Sequence, residues 1–190
     1  MTSRAEADIA LLERFHGGDV TAFDELVRAH EDRVFGICLR MMRDREAALD
    51  AVQETFLTVF RKADRYQARA TFSTWLYRVT VNTCYDLLRK AKRRQTEPLP
   101  ENTHPTDTHS DDDLGAAEMR PDIEAALNDL PVEFRSAVVL VDLNGLSLQQ
   151  ASEILDVPVG TIKSRVFRGR RQLATSLGNL RAGSRHPRDE

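Results

Sequence analysis

Two adjacent segments near the C-terminal end constrain the fold of this chain most strongly. The first begins at Ser147, has Gln150 three residues later and continues to Leu155. This spacing is typical of a capping box, in which the two side chains bind the backbone at a helix N-terminus. A three-residue turn ending in Pro158 then leads into an arginine-rich segment with helical spacing. The pattern predicts a helix-turn-helix, whose second helix enters the major groove of DNA.

The second of these helices is predicted to have one apolar and one basic side. At about 100° per residue, an apolar stripe of Ile162, Val166, Leu173 and Leu177 passes Gly169 and is expected to pack on the preceding helices. Residues 159–181 include six basic residues and no acidic one. A solvated helix usually mixes both signs, so this run favours a polyanion as its partner.

The basic side offers the groups that DNA recognition needs. Arg168 can form a bidentate pair with guanine, and Phe167 can contact a thymine methyl group. The free N–H groups at the start of the helix can hold a phosphate. The alternative is a basic surface helix whose Phe167 packs on a neighbouring element. The candidate DNA contacts are Gly160, Thr161, Lys163, Ser164, Arg165, Phe167, Arg168 and Arg171.

Further helices are predicted on both sides of an acidic segment. Pro131 starts a helix over 132–143 and Gly145 ends it, which gives a bundle of about four helices from residue 121 to 180. The N-terminal part also has helical spacing throughout. Its first helix has Ile9, Leu12 and Phe15 on its apolar side, and Asp19 and Asp44 can cap the next two helices. The third helix is expected to bury Leu49, Val52, Phe56, Val59 and Phe60, and the fourth to run from about Ser73 to Arg94.

The charge distribution divides the chain. Residues 96–122 hold eight acidic residues and one basic residue, and their low apolar content predicts a flexible linker. The expected division is a helical domain at 1–95, an acidic linker at 96–120, a second helical domain at 121–182 and a disordered tail at 183–190. We expect an all-α, cytoplasmic protein, because there is neither a signal peptide nor a long apolar stretch.

Two helix faces have no obvious role in packing. The third helix presents Asp50, Gln53, Glu54, Leu57 and Arg61 away from its apolar side, either as a docking surface or, as spacing alone favours, as an ordinary solvated face. The fourth helix interleaves aromatic and basic residues, which suits unpaired DNA. Trp75 is as consistent with a core position as with DNA stacking. The candidate contacts with unpaired bases are Tyr66 and Arg69 in the preceding loop and Trp75, Arg78, Asn82, Tyr85, Arg89 and Arg93 in the helix.

Histidines and cysteines give no sign of catalysis or metal binding. His30 lies near the apolar stripe of the second helix and is predicted to be a hydrogen-bonded core residue. Cys38 and Cys84 both lie in helical patterns, so buried thiols are expected rather than a disulfide. No nucleophile–base set, phosphate loop or cluster of metal-ligand spacing is present. We expect no enzyme activity, no cofactor, no metal and no small-molecule substrate.

Four segments in order make the chain resemble bacterial RNA polymerase sigma factors of the extracytoplasmic-function (ECF) group. Residues 18–23 resemble the opening of the family, and residues 50–56 resemble its polymerase-binding motif. Residues 72–78, with Asn82 and residues 86–89, resemble its minus-ten helix. Residues 160–170 resemble its minus-thirty-five helix. The chain differs where the family usually has Glu-Ile-Ala at 150–152 and commonly Gly at Asp156, which is expected to alter the turn rather than the docking mode.

The resemblance implies partners and roles. Asp50, Gln53, Glu54 and Leu57 would meet the clamp helices of the largest polymerase subunit, and the C-terminal domain would meet the flap of the second-largest. The domain at 1–95 would correspond to region 2 and that at 121–182 to region 4. Promoter DNA and an anti-sigma factor are further implied partners. The resemblance leaves three alternatives to test, namely a free-standing helix-turn-helix regulator, a nucleic-acid enzyme and an adaptor protein.

Overall fold

The computed structural model describes residues 4–63, 66, 70–96 and 121–183. All regular structure within these ranges is helical, as the sequence predicts. The acidic linker at 97–120, Arg69 and the tail beyond residue 183 lie outside the described residues. The helices are α1 (Arg4–His16), α2 (Val20–Met42), α3 (Arg45–Lys62), α4 (Phe72–Thr96), α5 (Pro121–Asn128), α6 (Val132–Val138), α7 (Leu148–Leu155) and α8 (Val159–Gly183).

The N-terminal unit is built around α2, which packs against α1, α3 and α4. Both predicted N-caps are present. The Asp19 carboxylate accepts a hydrogen bond from the Thr21 backbone N–H at 3.0 Å, and that of Asp44 accepts one from the Ala47 N–H at 2.7 Å. Each bond satisfies a donor that a helix start leaves without an intrahelical partner. The caps therefore fix where α2 and α3 begin.

The predicted buried sides of α1 and α3 were partly wrong. Ile9 is 42% exposed, Leu49 50% and Phe60 46%. The fully buried residues of α3 are Ala48, Ala51 and Thr55 together with Val59, which was predicted. Small side chains at a helix contact let the two backbones approach closely, and the larger side chains are then left at its edges. Phe60 accordingly lies at the margin, where its ring is 5.1 Å from that of Phe23.

The C-terminal unit contains the four predicted helices. α6 begins at Val132 as predicted, although Pro131 is its N-cap and not its first helical residue. It continues through a π-helical turn, Val139–Leu143. Gly145 follows with a φ of 65°, the left-handed conformation expected of it.

The two units are packed against each other, which the sequence did not predict. α4 contacts α7, while α2 contacts α5, α6 and the π-helical turn. Buried residues of both units, such as Cys84 and Leu140, belong to one continuous apolar cluster. The fourth helix of the first unit therefore lies at the boundary with the second.

Candidate nucleic-acid interfaces

The first helix of the helix-turn-helix is fixed at both ends by hydrogen bonds. Ser147 and Gln150 form both halves of the predicted capping box, with the Ser147 Oγ accepting from the Gln150 N–H at 3.1 Å. α7 ends at Asp156, whose φ of 53° and ψ of 48° are left-handed. The Ser152 hydroxyl donates to the Val157 carbonyl at 2.6 Å. Of the departures from the family pattern, residues 150–152 therefore lie within α7. Asp156 lies at its left-handed end, where glycine would adopt the geometry with less strain.

α8 is held close to α6 by a glycine. Ile162 and Val166 are buried as predicted, and Gly169 continues their stripe. A Cβ at Gly169 would lie 2.6 Å from Val138 Cγ2 and 3.5 Å from the Phe134 carbonyl oxygen. Carbon atoms pack at about 3.5–4.0 Å, so no larger residue fits without moving one of the helices. This contact sets the distance between α8 and α6.

The opposite side of α8 is open. Phe167 is 67% exposed, so the alternative in which it packs on a neighbouring element was wrong. Lys163, Ser164, Arg168, Arg171 and Gly160 are also exposed, whereas Thr161 and Arg165 are half-buried. Arg170 is exposed but has a protein partner, because its Nε donates to Asp142 Oδ2 at 3.0 Å. α8 therefore presents an aromatic ring among basic groups, with one neighbouring arginine committed to an ion pair.

The start of α4 carries an aromatic cluster. The ring of Trp75 lies 5.6 Å from that of Tyr66 and 5.8 Å from that of Phe72. The Tyr66 hydroxyl donates to the Ala70 carbonyl at 2.7 Å, which fixes its ring against the start of the helix. Trp75 and Tyr66 are half-buried, while Phe72 is buried. Trp75 thus lies partly in the core and still offers an accessible ring edge or face.

A buried polar pair underlies this cluster. The ring of His30 is 5.4 Å from that of Phe72, and its Nε2 is 2.9 Å from Asp8 Oδ1. Both residues are almost completely buried, with 1% and 2% of their surface exposed. His30 is the hydrogen-bonded core residue that was predicted. Asp8 was not predicted from the sequence, although its spacing of four from Leu12 places it on the buried stripe of α1.

Two predicted DNA contacts on α4 are engaged by the C-terminal unit. Tyr85 Oη lies 2.8 Å from Ser136 Oγ on α6, and the Arg78 guanidinium donates to the Glu153 carbonyl on α7. Burial raises the pKa of Tyr85 above its ordinary value of 10.0. Asn82, Arg89 and Arg93 on the same face remain exposed. Sequence spacing groups these residues correctly on one face but does not indicate that a second unit covers part of it.

The predicted docking face of α3 has no packing role among the described residues. Asp50, Gln53 and Glu54 are exposed, and Leu57 is 41% exposed at their centre. Cys38 and Cys84 are free and buried, as predicted, with their Sγ atoms 3.9 Å apart. The neighbouring thiol and burial raise the pKa of Cys38, so its thiol stays protonated and poorly reactive.

Comparison with known proteins assigns both units. Residues 26–94 match sigma-70 region 2 and residues 120–173 match sigma-70 region 4. The chain is 42% identical to the ECF RNA polymerase sigma factor SigE of Mycolicibacterium smegmatis over 82% of its length, and spans 62% of that relative. It is 39% identical to SigM of Mycobacterium tuberculosis over 93% of its length and 88% of that relative. The chain is an ECF RNA polymerase sigma factor.

A solved structure supports the same assignment. This sigma factor aligns with the sigma factor RpoE of Bartonella quintana, solved with the anti-sigma factor NepR, with a TM-score of 0.66 and 27% identity. The alignment covers 84% of this chain and 98% of that one. ECF sigma factors are non-enzymatic and direct promoter-specific transcription initiation. No described helix of this sigma factor is long and apolar enough to cross a membrane.

Proposed function

We propose that this sigma factor contacts a promoter through two separate surfaces while it is held on core RNA polymerase. The minus-thirty-five surface is the exposed face of α8. The minus-ten surface is the outer face of α4 with the Tyr66 loop. The observation that supports this assignment best is the open face of α8, where Phe167 is 67% exposed between the exposed basic residues Lys163 and Arg168.

The minus-thirty-five surface suits a DNA duplex. Arg168 has the fork geometry for O6 and N7 of a guanine, and Lys163 suits a base edge or a phosphate. Gly160 lies at the helix N-terminus, where a phosphate binds favourably. The Thr161 N–H already donates to the Pro158 carbonyl at 2.8 Å, so Thr161 would contribute through its side-chain hydroxyl. Ser164, Arg165, Phe167 and Arg171 complete the surface. Arg170 is not part of this surface. Its ion pair with Asp142 helps to hold α8 against the C-terminal helical unit.

The minus-ten surface suits unpaired bases. Trp75 and Tyr66 offer rings for stacking, while Arg78, Arg89 and Arg93 supply cations for the backbone. Asn82 and Tyr85 can each form a hydrogen bond with a base. Arg69 belongs to the same proposed set because it precedes α4 in the sequence, close to Tyr66. Single-stranded DNA is bound by this combination of aromatic side chains and a basic groove.

The exposed face of α3 is the proposed polymerase contact. Asp50, Gln53 and Glu54 surround the half-exposed Leu57, an arrangement that suits a basic partner helix with one apolar residue. The proposed occupants are the clamp helices of the largest subunit, with the flap of the second-largest subunit receiving the C-terminal domain. Residues 1–95 and 121–182 would form the two domains, with 96–120 as tether and 183–190 as tail. Two weak DNA contacts then gain affinity by being linked.

An anti-sigma factor is a further proposed partner, since the related RpoE was solved with one. The proposed location is the cytoplasm, where the polymerase acts. No small-molecule substrate, metal or cofactor enters this function.

Run-off transcription with reconstituted core enzyme on a promoter library tests the proposal. We expect a defined set of transcripts that depends on both proteins. Glu54→Lys should abolish core binding in gel filtration, whereas Lys62→Ala, at an exposed position of the same helix outside this face, should leave it intact. Arg168→Ala should keep core binding but change which promoters are used. Absence of any sigma-dependent transcript, or an unchanged promoter set in Arg168→Ala, would contradict the assignment.

A further inference from the structure

The buried pair of Asp8 and His30 adjoins the aromatic cluster of the minus-ten surface from the protein interior. Asp8 belongs to α1, which packs against both α2 and α4. Its Oδ1 is 2.9 Å from His30 Nε2, and an ionised carboxylate only accepts hydrogen bonds, so the imidazole is the donor. Asp8 Oδ2 and His30 Nδ1 have no hydrogen-bond partner among the described residues. In this part of the chain, one hydrogen bond therefore sets the orientation of the imidazole ring.

His30 reaches the proposed DNA-stacking rings through Phe72, the first residue of α4. The rings of His30 and Phe72 are 5.4 Å apart, with an interplanar angle of 66°. The Phe72 ring in turn lies 5.8 Å from the rings of both Tyr66 and Trp75. Edge-to-face contacts of this kind depend on the orientation of each ring. A rotation of the imidazole would therefore shift Phe72 and, through it, both rings that are proposed to stack on bases.

Asp8 also influences Tyr66 directly. Burial and, to a lesser degree, the charge of Asp8 raise the pKa of Tyr66 above its ordinary value of 10.0. The phenol therefore stays protonated and keeps the hydrogen bond that its hydroxyl donates to the Ala70 carbonyl at 2.7 Å. The carboxylate of α1 thus acts on the cluster at two points, namely Phe72 through His30 and Tyr66 through its charge.

The side chains at the start of α4 depend on such support. The first N–H groups of a helix have no intrahelical acceptor. Thr71 supplies acceptors, since its hydroxyl accepts from the Thr74 N–H at 3.3 Å and its carbonyl accepts from the Trp75 N–H at 3.1 Å. These bonds fix the backbone of the first turn but not the side-chain torsions. Phe72, which is 2% exposed, is held in place by its ring contacts instead.

We infer that Asp8 and His30 are positioning residues for the minus-ten surface. Their hydrogen bond fixes the imidazole, the imidazole holds Phe72, and Phe72 sets the stacking geometry of Trp75 and Tyr66. Both residues of the pair are almost completely buried, so they act without touching DNA. The inference rests on the proposed function of α4 and deepens it, because it adds α1 to the elements on which base stacking depends.

A pair that only fills the core would behave differently when it is replaced. Apolar side chains of similar volume often preserve stability in place of a buried ionic pair. Asp8→Leu/His30→Leu removes both the hydrogen bond and the flat ring while leaving no buried polar atom unpaired. We expect this double variant to fold but to lose the alignment of the cluster. Asp8→Asn is the conservative variant, because its amide oxygen still accepts from His30 Nε2.

Fluorescence reports on the cluster directly, because Trp75 is the only tryptophan in the chain. We expect the emission maximum and the acrylamide quenching of Trp75 to change in Asp8→Leu/His30→Leu and to return to the parent values in Asp8→Asn. Leu12→Ala, at another buried position of α1, controls for a general loosening of that helix and should leave the emission unchanged. Circular dichroism confirms that each protein is folded. Parental Trp75 emission in the double variant would overturn the inference.

Affinity for unpaired DNA links the pair to base stacking. The probe is a fluorescein-labelled random-sequence single-stranded 20-mer, measured with the full chain by fluorescence anisotropy at low ionic strength. Stacking of one base on an aromatic ring contributes about fivefold or more in affinity. Asp8→Leu/His30→Leu should therefore bind the probe at least about fivefold more weakly, whereas Asp8→Asn should stay within about twofold of the parent.

A further substitution shows whether the pair acts through Trp75. Trp75→Leu should weaken binding in the parent but much less in Asp8→Leu/His30→Leu, because changes that act on one contact are not additive. Arg89→Ala, at an exposed position of the same face, should weaken binding by the same factor in both backgrounds. Parental affinity in the double variant, or equal effects of Trp75→Leu in the two backgrounds, would overturn the inference alone. An unchanged affinity of Trp75→Leu in the parent would contradict the proposed function of the cluster and the inference with it.

Discussion

The faces of α4 and α8 use the same side-chain types in opposite structural settings. On α8, Phe167 and Arg168 stand free of other elements, and the helix is positioned from behind by Gly169. On α4, Trp75 and Tyr85 are half-buried and bonded or packed within the protein. A regular duplex can be approached by a helix from outside, whereas unstacked bases need rings that the protein already holds in place. The two surfaces can therefore be tested separately.

The largest expected effect comes from a change to the buried pair of Asp8 and His30 beneath the α4 face. His30→Ala leaves the Asp8 carboxylate buried without its partner, which should lower the free energy of unfolding by about 3–5 kcal/mol. Chemical denaturation followed by circular dichroism measures this loss. The double variant Asp8→Leu/His30→Leu should lose much less, because no buried polar atom is left unpaired. Equal losses of unfolding free energy in the single and double variants would show that the two side chains stabilise the protein only by filling space, and not through their hydrogen bond.

The matching change beneath the α8 face is Gly169→Ala. The added methyl group would lie 2.6 Å from Val138 Cγ2, so we expect a loss of about 1–3 kcal/mol in stability from overpacking. Minus-thirty-five-dependent transcription should fall as α8 is displaced. Gly178→Ala, where nothing lies within 4 Å of the new Cβ, should instead gain up to about 1 kcal/mol from helix propensity. Equal changes in the thermal unfolding temperature of Gly169→Ala and Gly178→Ala would contradict this expectation.

Base selection on α8 is tested by two neighbouring arginines. Arg168→Ala should cost about 1–3 kcal/mol of discrimination at one base pair of the minus-thirty-five element. Its stability should stay within about 0.5 kcal/mol of the parent, because the residue is on the surface. Arg170→Ala breaks the ion pair with Asp142 and should leave base preference unchanged. Promoter-library transcription with each variant separates the two roles, and a relaxed base preference in Arg170→Ala would count against this division.

The smallest expected effect concerns the turn before α8. Asp156→Gly removes the strain of a left-handed non-glycine residue and should raise stability by less than about 1 kcal/mol. Asp156→Val, with a β-branched side chain at the same φ of 53°, should lower it. Thermal unfolding of the two variants measures the difference. A stabilised Asp156→Val would show that the turn conformation is different in solution.

Sequence patterns predicted the local structure of both units. Helix starts followed from Asp19, Asp44 and Ser147 because a side-chain cap is a short-range interaction that spacing reveals. The exposed face of α8 followed from its charges, since six basic residues in 159–181 without an acid have no place in a core. The errors on α3 have a physical reason as well. Hydrophobicity alone does not show that Ala48 and Ala51, rather than Leu49 and Phe60, form the close helix contact.

The amino-acid order by itself determined an all-helical protein and predicted two helix faces that combine aromatic and basic residues, because caps, periodicity and charge runs act over a few residues. Tertiary structure alone decided which of those faces is open. The contacts of Tyr85 with Ser136 and of Asp8 with His30 join residues 51 and 22 positions apart. Their partners are chosen by how whole helices pack, and no spacing rule along the chain contains that information.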